Sequence, residues 1–292
     1  MQKTILGSTR FTGVGLHSGK SASLLISPAS AGTGIVFRRE GVAIPARFDG
    51  VDHQPLCTFL TGPGGASIST IEHFMAAAWA LGFDNLIVDV DGPEVPIMDG
   101  SALPFVRGLA GAGEQTLSVR RKTAKVVRAV EYREGKSVTR LLPSDGFSAW
   151  IRIEFEQRAI GRQEVSFDGS FEQFMSGFSM ARTFCLKKDI DAMHAAGKAL
   201  GGSLENAVVY DGDRILNPGG LRVEKEAVRH KMLDVVGDLA LLGWHLEARF
   251  EGVRPGHRMT NMLLRKAFAT GALVDASTGD ALRRECPLPC VA

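Results

Sequence analysis

Cysteine is scarce in this chain. The four cysteines among 292 residues, Cys57, Cys185, Cys286 and Cys290, have the spacing of neither a structural zinc knuckle nor a secreted disulfide framework. A reducing cytoplasm is the compartment this implies. The one close pair, Cys286-Pro-Leu-Pro-Cys290, lies in a terminal tail and reads as two free thiols. An excess of charge is also missing. The formal net charge is +2 and the basic residues are spread out, which argues against a nucleic-acid partner. Long apolar runs are missing too. Met1 to Ile5 leads straight into alternating sequence without the apolar core of a leader, and no run reaches the ~20 residues of a membrane span. The expectation is a protein neither exported nor embedded.

What is present is an apolar fraction of 45%, enough to fill the core of one large domain or two ordinary ones. From Gln2 to about Arg39, β-branched runs punctuated by Gly and Ser predict short strands. A polar, proline-containing stretch from Gly41 to Gln54 reads as an insertion or hairpin. Ser69-Thr70-Ile71-Glu72 has the form of a capping box, and the spacing of Ile71, Met75, Ala78 and Trp79 predicts a helix to about Leu81, ended by Gly82. Asn85 to Asp91 predicts a strand that Gly92-Pro93-Glu94-Val95-Pro96 cannot continue. A second helix is expected over 102–111, and the run Arg120-Arg121-Lys122 marks a boundary.

The second half repeats this order. Strands are expected over 124–130, 137–142 and 147–155, then a helix at 171–175, a long helix from Lys225 to Leu242, a strand at 246–250 and a helix from Met259. Similar order in two halves predicts a duplicated α+β fold, with one unit over 1–119 (an insertion at about 41–56) and another over 123–292.

Chemistry concentrates on the long late helix, where His230, Asp234 and Asp238 recur four residues apart and share one face. Such a polar stripe in a segment anchored by Met232, Val235, Val236 and Leu239 needs a metal or an ion-pair partner. An imidazole and a carboxylate one turn apart are two ligands of a protein zinc site, so a third must come from elsewhere. His73 is the candidate, because its neighbour Glu72 can serve as base toward a water activated there. Each signal is weak alone: His-x-x-x-Asp on a helix is usually a solvated ion pair, and Glu72 fits position N3 of the capping box. Two histidines and one carboxylate also describe the iron(II) site of non-haem oxygenases. Glu72, Lys231 and His257 in Pro255-Gly256-His257 favour hydrolysis, which needs a base, a cation and an acid.

Several longer runs carry a resemblance. Gly13-Val14-Gly15-Leu16-His17-Ser18-Gly19, Thr70-Ile71-Glu72-His73, the run from Asp91 to Ser101, Ala181-Arg182-Thr183-Phe184, the run from Gly201 to Ala207, and Val228 to Leu242 occur in order and cover nearly the whole chain. They resemble the signature runs of the UDP-3-O-acyl-N-acetylglucosamine deacetylase family. The resemblance implies two duplicated two-layer α/β sandwiches with the active site in the cleft between them. It also implies Zn²⁺ at His73, His230 and Asp234, with iron(II) as the alternative ion in the cell.

By the same resemblance, Glu72 is the general base, Thr183 the hydroxyl facing the oxyanion and Lys231 a stabilising cation. His257 is the protonated imidazole that supplies the leaving amine, held charged by Asp238. Cys57 matches a cysteine that can hold a second, inhibitory zinc. An inserted β-α-β element, about 185–216 here, forms the passage for the acyl chain. Ile190, Met193, Ala196 and Leu200 fall at helical spacing, a pattern that fits one wall of this passage and equally fits ordinary core packing, and the expected substrate contacts are Phe184, Phe155, Ile190, Leu200 and Gly202. The expected reaction removes acetate from UDP-3-O-(3-hydroxyacyl)-N-acetylglucosamine, the committed step of lipid A synthesis. The expected setting is a monomer in a bacterial cytoplasm, in transient contact with the inner membrane.

Two runs depart from the family. Phe155-Glu156-Gln157-Arg158 lacks the His and Pro of a Phe-x-His-Pro run facing the nucleotide, and Leu142 before Pro143 replaces a lysine. Arg158 or Arg162 is a candidate for restoring charge toward a diphosphate. Thr183-Phe184-Cys185-Leu186 also differs at the mouth of the passage. A paralogue acting on another N-acetylated sugar, or a non-catalytic relative, is therefore the alternative.

Overall fold

A computed structural model describes residues 1–282, so the Cys286–Cys290 pair lies outside the described residues. The chain forms two main sheets with the same strand order. In the first, Thr9–Val14, Ser21–Pro28, Leu86–Asp91, Ile35–Arg39 and Val42–Pro45 lie side by side. The second sheet has seven strands, of which Val130–Glu134, Ser137–Leu142, His245–Val253, Phe147–Glu154 and Arg162–Phe167 repeat that order, while Thr123–Val126 pairs with the start of His245–Val253 and with Leu273–Asp275. Each set of five is two hairpins with its last strand in sequence inserted between them, antiparallel to one neighbour and parallel to the other. The fold is α+β. Alternation drives the layering: Phe147, Ala149, Ile151 and Ile153 point inward while the residues between them are partly exposed.

Six helices accompany these sheets among the described residues: α1 (Glu72–Leu81), α2 (Leu103–Gly111), α3 (Phe171–Gly177), α4 (Lys187–Ala195), α5 (Glu226–Ala240) and α6 (His257–Ala269). None is long and apolar enough to cross a membrane. Every residue of α1 from Glu72 to Ala78 is buried, because the helix packs against its own sheet, through contacts such as Phe37 with Phe74, and against α5. At that crossing α5 presents Gly237. A Cβ there would lie 2.1 Å from the carbonyl oxygen of Glu72, so only glycine lets the two helices come this close.

The start of α1 differs from the predicted capping box. The helix begins at Glu72, Ile71 precedes it in helical conformation, and no side chain caps it. Ser69 is instead the end of a strand, Ser67–Ser69, paired with Phe59–Thr61, and Thr70 turns the chain with a φ of 59°. Strand pairing has displaced capping, and the Glu72 carboxylate is left free for other partners. The helix ends where expected, at Gly82 with a φ of 71°.

The stretch 41–56 is divided rather than set apart. Val42–Pro45 completes the first sheet, whereas Val51–Asp52 opens a small three-stranded sheet with Phe59–Thr61 and Ser67–Ser69. The expected strand at 124–130 is two strands, Thr123–Val126 and Val130–Glu134, and α6 begins two residues before Met259. Beyond Thr183, Phe184–Leu186 runs parallel to Val208–Asp211 across α4, and Arg214–Ile215 adds a third strand. Gly237→Ala should lower stability by about 1–3 kcal/mol through overpacking at the α1–α5 crossing, read as a reduced Tm in calorimetry.

Candidate metal centre

Helices α1 and α5 bring three side chains together. One ligand atom from each of His73, His230 and Asp234 falls within a mutual 4.8 Å, and all three residues are buried. Asp234 Oδ1 lies 3.3 Å from His230 Nε2 and 3.7 Å from His73 Nε2. The two imidazoles meet edge to face with centroids 4.9 Å apart. His230 is oriented by its other nitrogen, whose N–H donates to the carbonyl of Ala181 at 3.0 Å and leaves Nε2 as a lone pair. Asp234 Oδ2 accepts from Lys231 Nζ at 2.8 Å, but Oδ1 is buried with no hydrogen-bond partner. An orphaned carboxylate oxygen facing two imidazole nitrogens is costly unless a cation occupies the space between them.

The protonation states suit a cation. Burial, together with the neighbouring His230, pushes the His73 imidazole down to about 3, and burial likewise lowers His230, so both are neutral at pH 7. For Asp234, burial opposes ionisation, but the nearby positive charges, among them the Lys231 ammonium and the His257 imidazolium, outweigh it and hold the carboxyl well below its usual range. Two neutral imidazoles and a carboxylate are the ligating forms.

Proton-transfer groups flank this cluster. Glu72, first residue of α1, is pushed up to about 7 by burial and by the charges of Asp234 and Asp238, against the opposing pull of His257. Its Oε1 lies 3.8 Å from His257 Nε2, across the space a reacting group would occupy. His257, first residue of α6, donates from Nδ1 to Asp238 Oδ2 at 2.9 Å. Burial would lower this imidazole, but the Asp238 and Glu72 carboxylates win and raise it to about 9. At neutral pH the His257 imidazole holds its proton and the Glu72 carboxyl is partly ionised.

A cavity of about 900 Å³ opens over the cluster. His73, His230, Asp234, Glu72, His257, Lys231 and Thr183 line it, with Asp238 behind His257. Its apolar wall includes Phe184, Ile190, Met193, Leu204 and Leu216 beside Gly202. Two expected contacts lie elsewhere. Leu200 follows the end of α4, is 52% exposed and packs against Gly19, and Phe155 stands behind the wall, edge-on to Phe184 with centroids 5.6 Å apart. Helical spacing suggested Leu200 for the wall, but α4 stops at Ala195 and the helical register ends with it. Arg158 pairs with Asp213 at 3.9 Å in solvent, and neither it nor Arg162 lines the cavity. The lysine and arginine side chains that line it are Lys187, Lys231 and Arg258. Cys57 is buried near Glu72 with its thiol pushed up to about 12 by burial, the state of a packed, protonated thiol.

Two contributors escaped the sequence reading. Thr58 is buried and its hydroxyl donates to Asp238 Oδ1 at 2.5 Å, yet a threonine in an apolar run carries no signal of that partner. Glu94 accepts from the backbone N–H groups of His17 and Ser18 and from the hydroxyls of Ser18 and Thr70, tying the first hairpin to the start of α1.

Three residues that could hold a metal ion, with a carboxyl group on one side and an imidazolium on the other, make the kind of site a metal-dependent hydrolase needs. The family model of UDP-3-O-acyl N-acetylglycosamine deacetylase matches residues 2–269. The UDP-3-O-acyl-N-acetylglucosamine deacetylase of Shewanella frigidimarina is 44% identical over 274 residues, covering 92% of this chain and 90% of that protein. That of Geotalea uraniireducens is 45% identical over 267 residues (90% and 87%), and that of Haemophilus influenzae is 42% identical over 274 (92% and 90%). The chain belongs to the UDP-3-O-acyl N-acetylglycosamine deacetylase family.

Metal analysis by mass spectrometry should find one divalent ion per chain. Asp234→Ala should weaken its binding by more than the roughly 10–100-fold typical of losing an outer hydrogen-bond partner.

Proposed function

We propose that this chain hydrolyses the N-acetyl group of UDP-3-O-(3-hydroxyacyl)-N-acetylglucosamine, releasing acetate at the committed step of lipid A biosynthesis. The observation that carries this reading is the meeting, at one end of an apolar passage, of a ligand triad, a carboxylate near neutrality and an imidazolium. His73, His230 and Asp234 would hold Zn²⁺, which when bound supplies a Lewis acid for the acetyl carbonyl and acidifies water toward pH ~7.

The remaining steps belong to side chains of the protein. Glu72 takes a proton from the attacking water. The Thr183 hydroxyl, at the cavity wall, faces the acetyl oxygen as it gains charge, and the Lys231 ammonium, 2.8 Å from Asp234 Oδ2, offsets that charge. His257 then delivers its Nε2 proton to the nitrogen as the carbon–nitrogen bond breaks, because an amine anion is too poor a leaving group to depart alone. Asp238 keeps that proton in place through the 2.9 Å contact at Nδ1. Phe184, Ile190 and Gly202 line the acyl passage, and Phe155 supports it from behind Phe184.

The two halves, 1–119 and 123–292, are duplicated units in this reading, supported by the shared strand order of their sheets. We place the protein as a monomer in a bacterial cytoplasm, meeting the inner membrane transiently for its lipid-like substrate. Leu56 and Leu204, 53% and 41% exposed where they line the cavity, support that contact. Occupancy by iron(II) fits the same ligands, but an oxygenase has no use for the Glu72–His257 pair. The solvent-facing placement of Arg158 favours one second reading, a deacetylase for a different N-acetylated sugar.

Purified, zinc-loaded protein should release acetate from the UDP substrate without oxygen, and Glu72→Ala should cut kcat by about 10²–10⁴-fold. A wild-type protein that binds zinc and leaves this substrate intact while cleaving another N-acetyl sugar would establish the second reading. The pH profile of kcat/KM should be bell-shaped. It rises as Glu72 deprotonates near 7, a limb that a bound cation moves lower, and falls as His257 loses its proton near 9.

A further inference from the structure

Thr58 lies between the base and the acid and contacts both. Its main chain is fixed on either side: its N–H donates to Glu72 Oε2 at 3.2 Å, and its carbonyl accepts from the N–H of Thr70 at 3.0 Å. Its side chain is buried, and the hydroxyl donates its single proton to Asp238 Oδ1 at 2.5 Å while lying 3.2 Å from His257 Nδ1. The other Asp238 oxygen takes the N–H of His257. Both oxygens of that carboxylate are thereby occupied, and its plane cannot turn without breaking one contact or the other.

We propose that Thr58 is a positioning residue for the deacetylation: its hydroxyl locks the Asp238 carboxylate against His257 Nδ1, and its N–H holds the Glu72 carboxylate toward the reacting centre. This inference rests on the function proposed above. A carboxylate with one oxygen free can rotate and share its charge with other donors. Held as it is, it aims one lone pair at one N–H, the condition for keeping His257 protonated in a buried site. The charged and titratable groups facing His257 are Glu72 and His73 from α1, His230, Asp234 and Asp238 from α5, and His17 from the first hairpin. Among these, Asp238 is the one that Thr58's hydroxyl touches.

Thr58→Val isolates the hydroxyl, since valine matches threonine in shape and keeps the N–H to Glu72. The primary readout needs no turnover: titration of the His257 ring by nitrogen-15 NMR of histidine-labelled, zinc-loaded protein, with the resonance assigned by its loss in H257Q. The expected midpoint in T58V is about one pH unit below wild type, from losing a hydrogen bond to a charged group. Thr58→Ser, which restores the hydroxyl, should titrate as wild type does. In turnover, T58V should lose about tenfold in kcat with KM unchanged. Should T58V fail to fold, Thr58→Ala removes the same hydroxyl without branching. Equal midpoints in wild type and the hydroxyl-free variant would overturn the proposal, as would a T58S protein that falls with T58V. Absence of acetate release by wild type would count against the proposed reaction alone, because the titration is read independently of it.

Discussion

The close crossing of α1 and α5 is the constraint on which the rest of the molecule depends. These helices belong to opposite halves of the chain, and they approach so closely that the backbone of Glu72 fills the place where Gly237 would carry a side chain. That approach sets the separation of His73 on one helix from His230 and Asp234 on the other. Neither half holds a complete ligand set, so the site exists only when both sheets deliver their helices to the same crossing.

Around that crossing the electrostatics are arranged by unequal burial and pairing. Asp234 and Asp238 are both buried and both paired, one with Lys231 and one with His257, and the Asp234 carboxyl is held well below its usual range. Glu72 is equally buried, but its oxygens meet a backbone N–H and, more distantly, an imidazole, and its carboxyl rises to about 7. Three carboxylates within one cluster thus acquire different surroundings from their immediate neighbours, without any difference in depth.

Much of this was legible in the residues. The i, i+4, i+8 stripe of His230, Asp234 and Asp238 stood out because polar groups on a buried helix face demand partners, and the strand alternation announced both sheets. The start of α1 misled because a capping box is a local pattern, whereas the pairing of Ser67–Ser69 with Phe59–Thr61 is a tertiary event that local sequence does not encode. Leu200 misled for a related reason: periodicity continues on paper past the point where α4 unwinds. Thr58 was invisible because its meaning lies in Asp238, 180 residues away. The family resemblance supplied roles that spacing alone left open, among them Thr183 and the ordering of base and acid.

Thr183 hydrogen-bonds by its backbone to Gly100 of the first half and to Val208 across the parallel strands, and Phe184 follows it immediately as the first residue of the apolar wall. Thr183 and the apolar wall are therefore joined at the root of one strand, which holds them in register. Such an arrangement works as a ruler whose zero mark is nailed to the cluster of His73, His230 and Asp234. The far end, through α4 and the segment that follows it, can be re-graduated while Thr183 stays at the same mark.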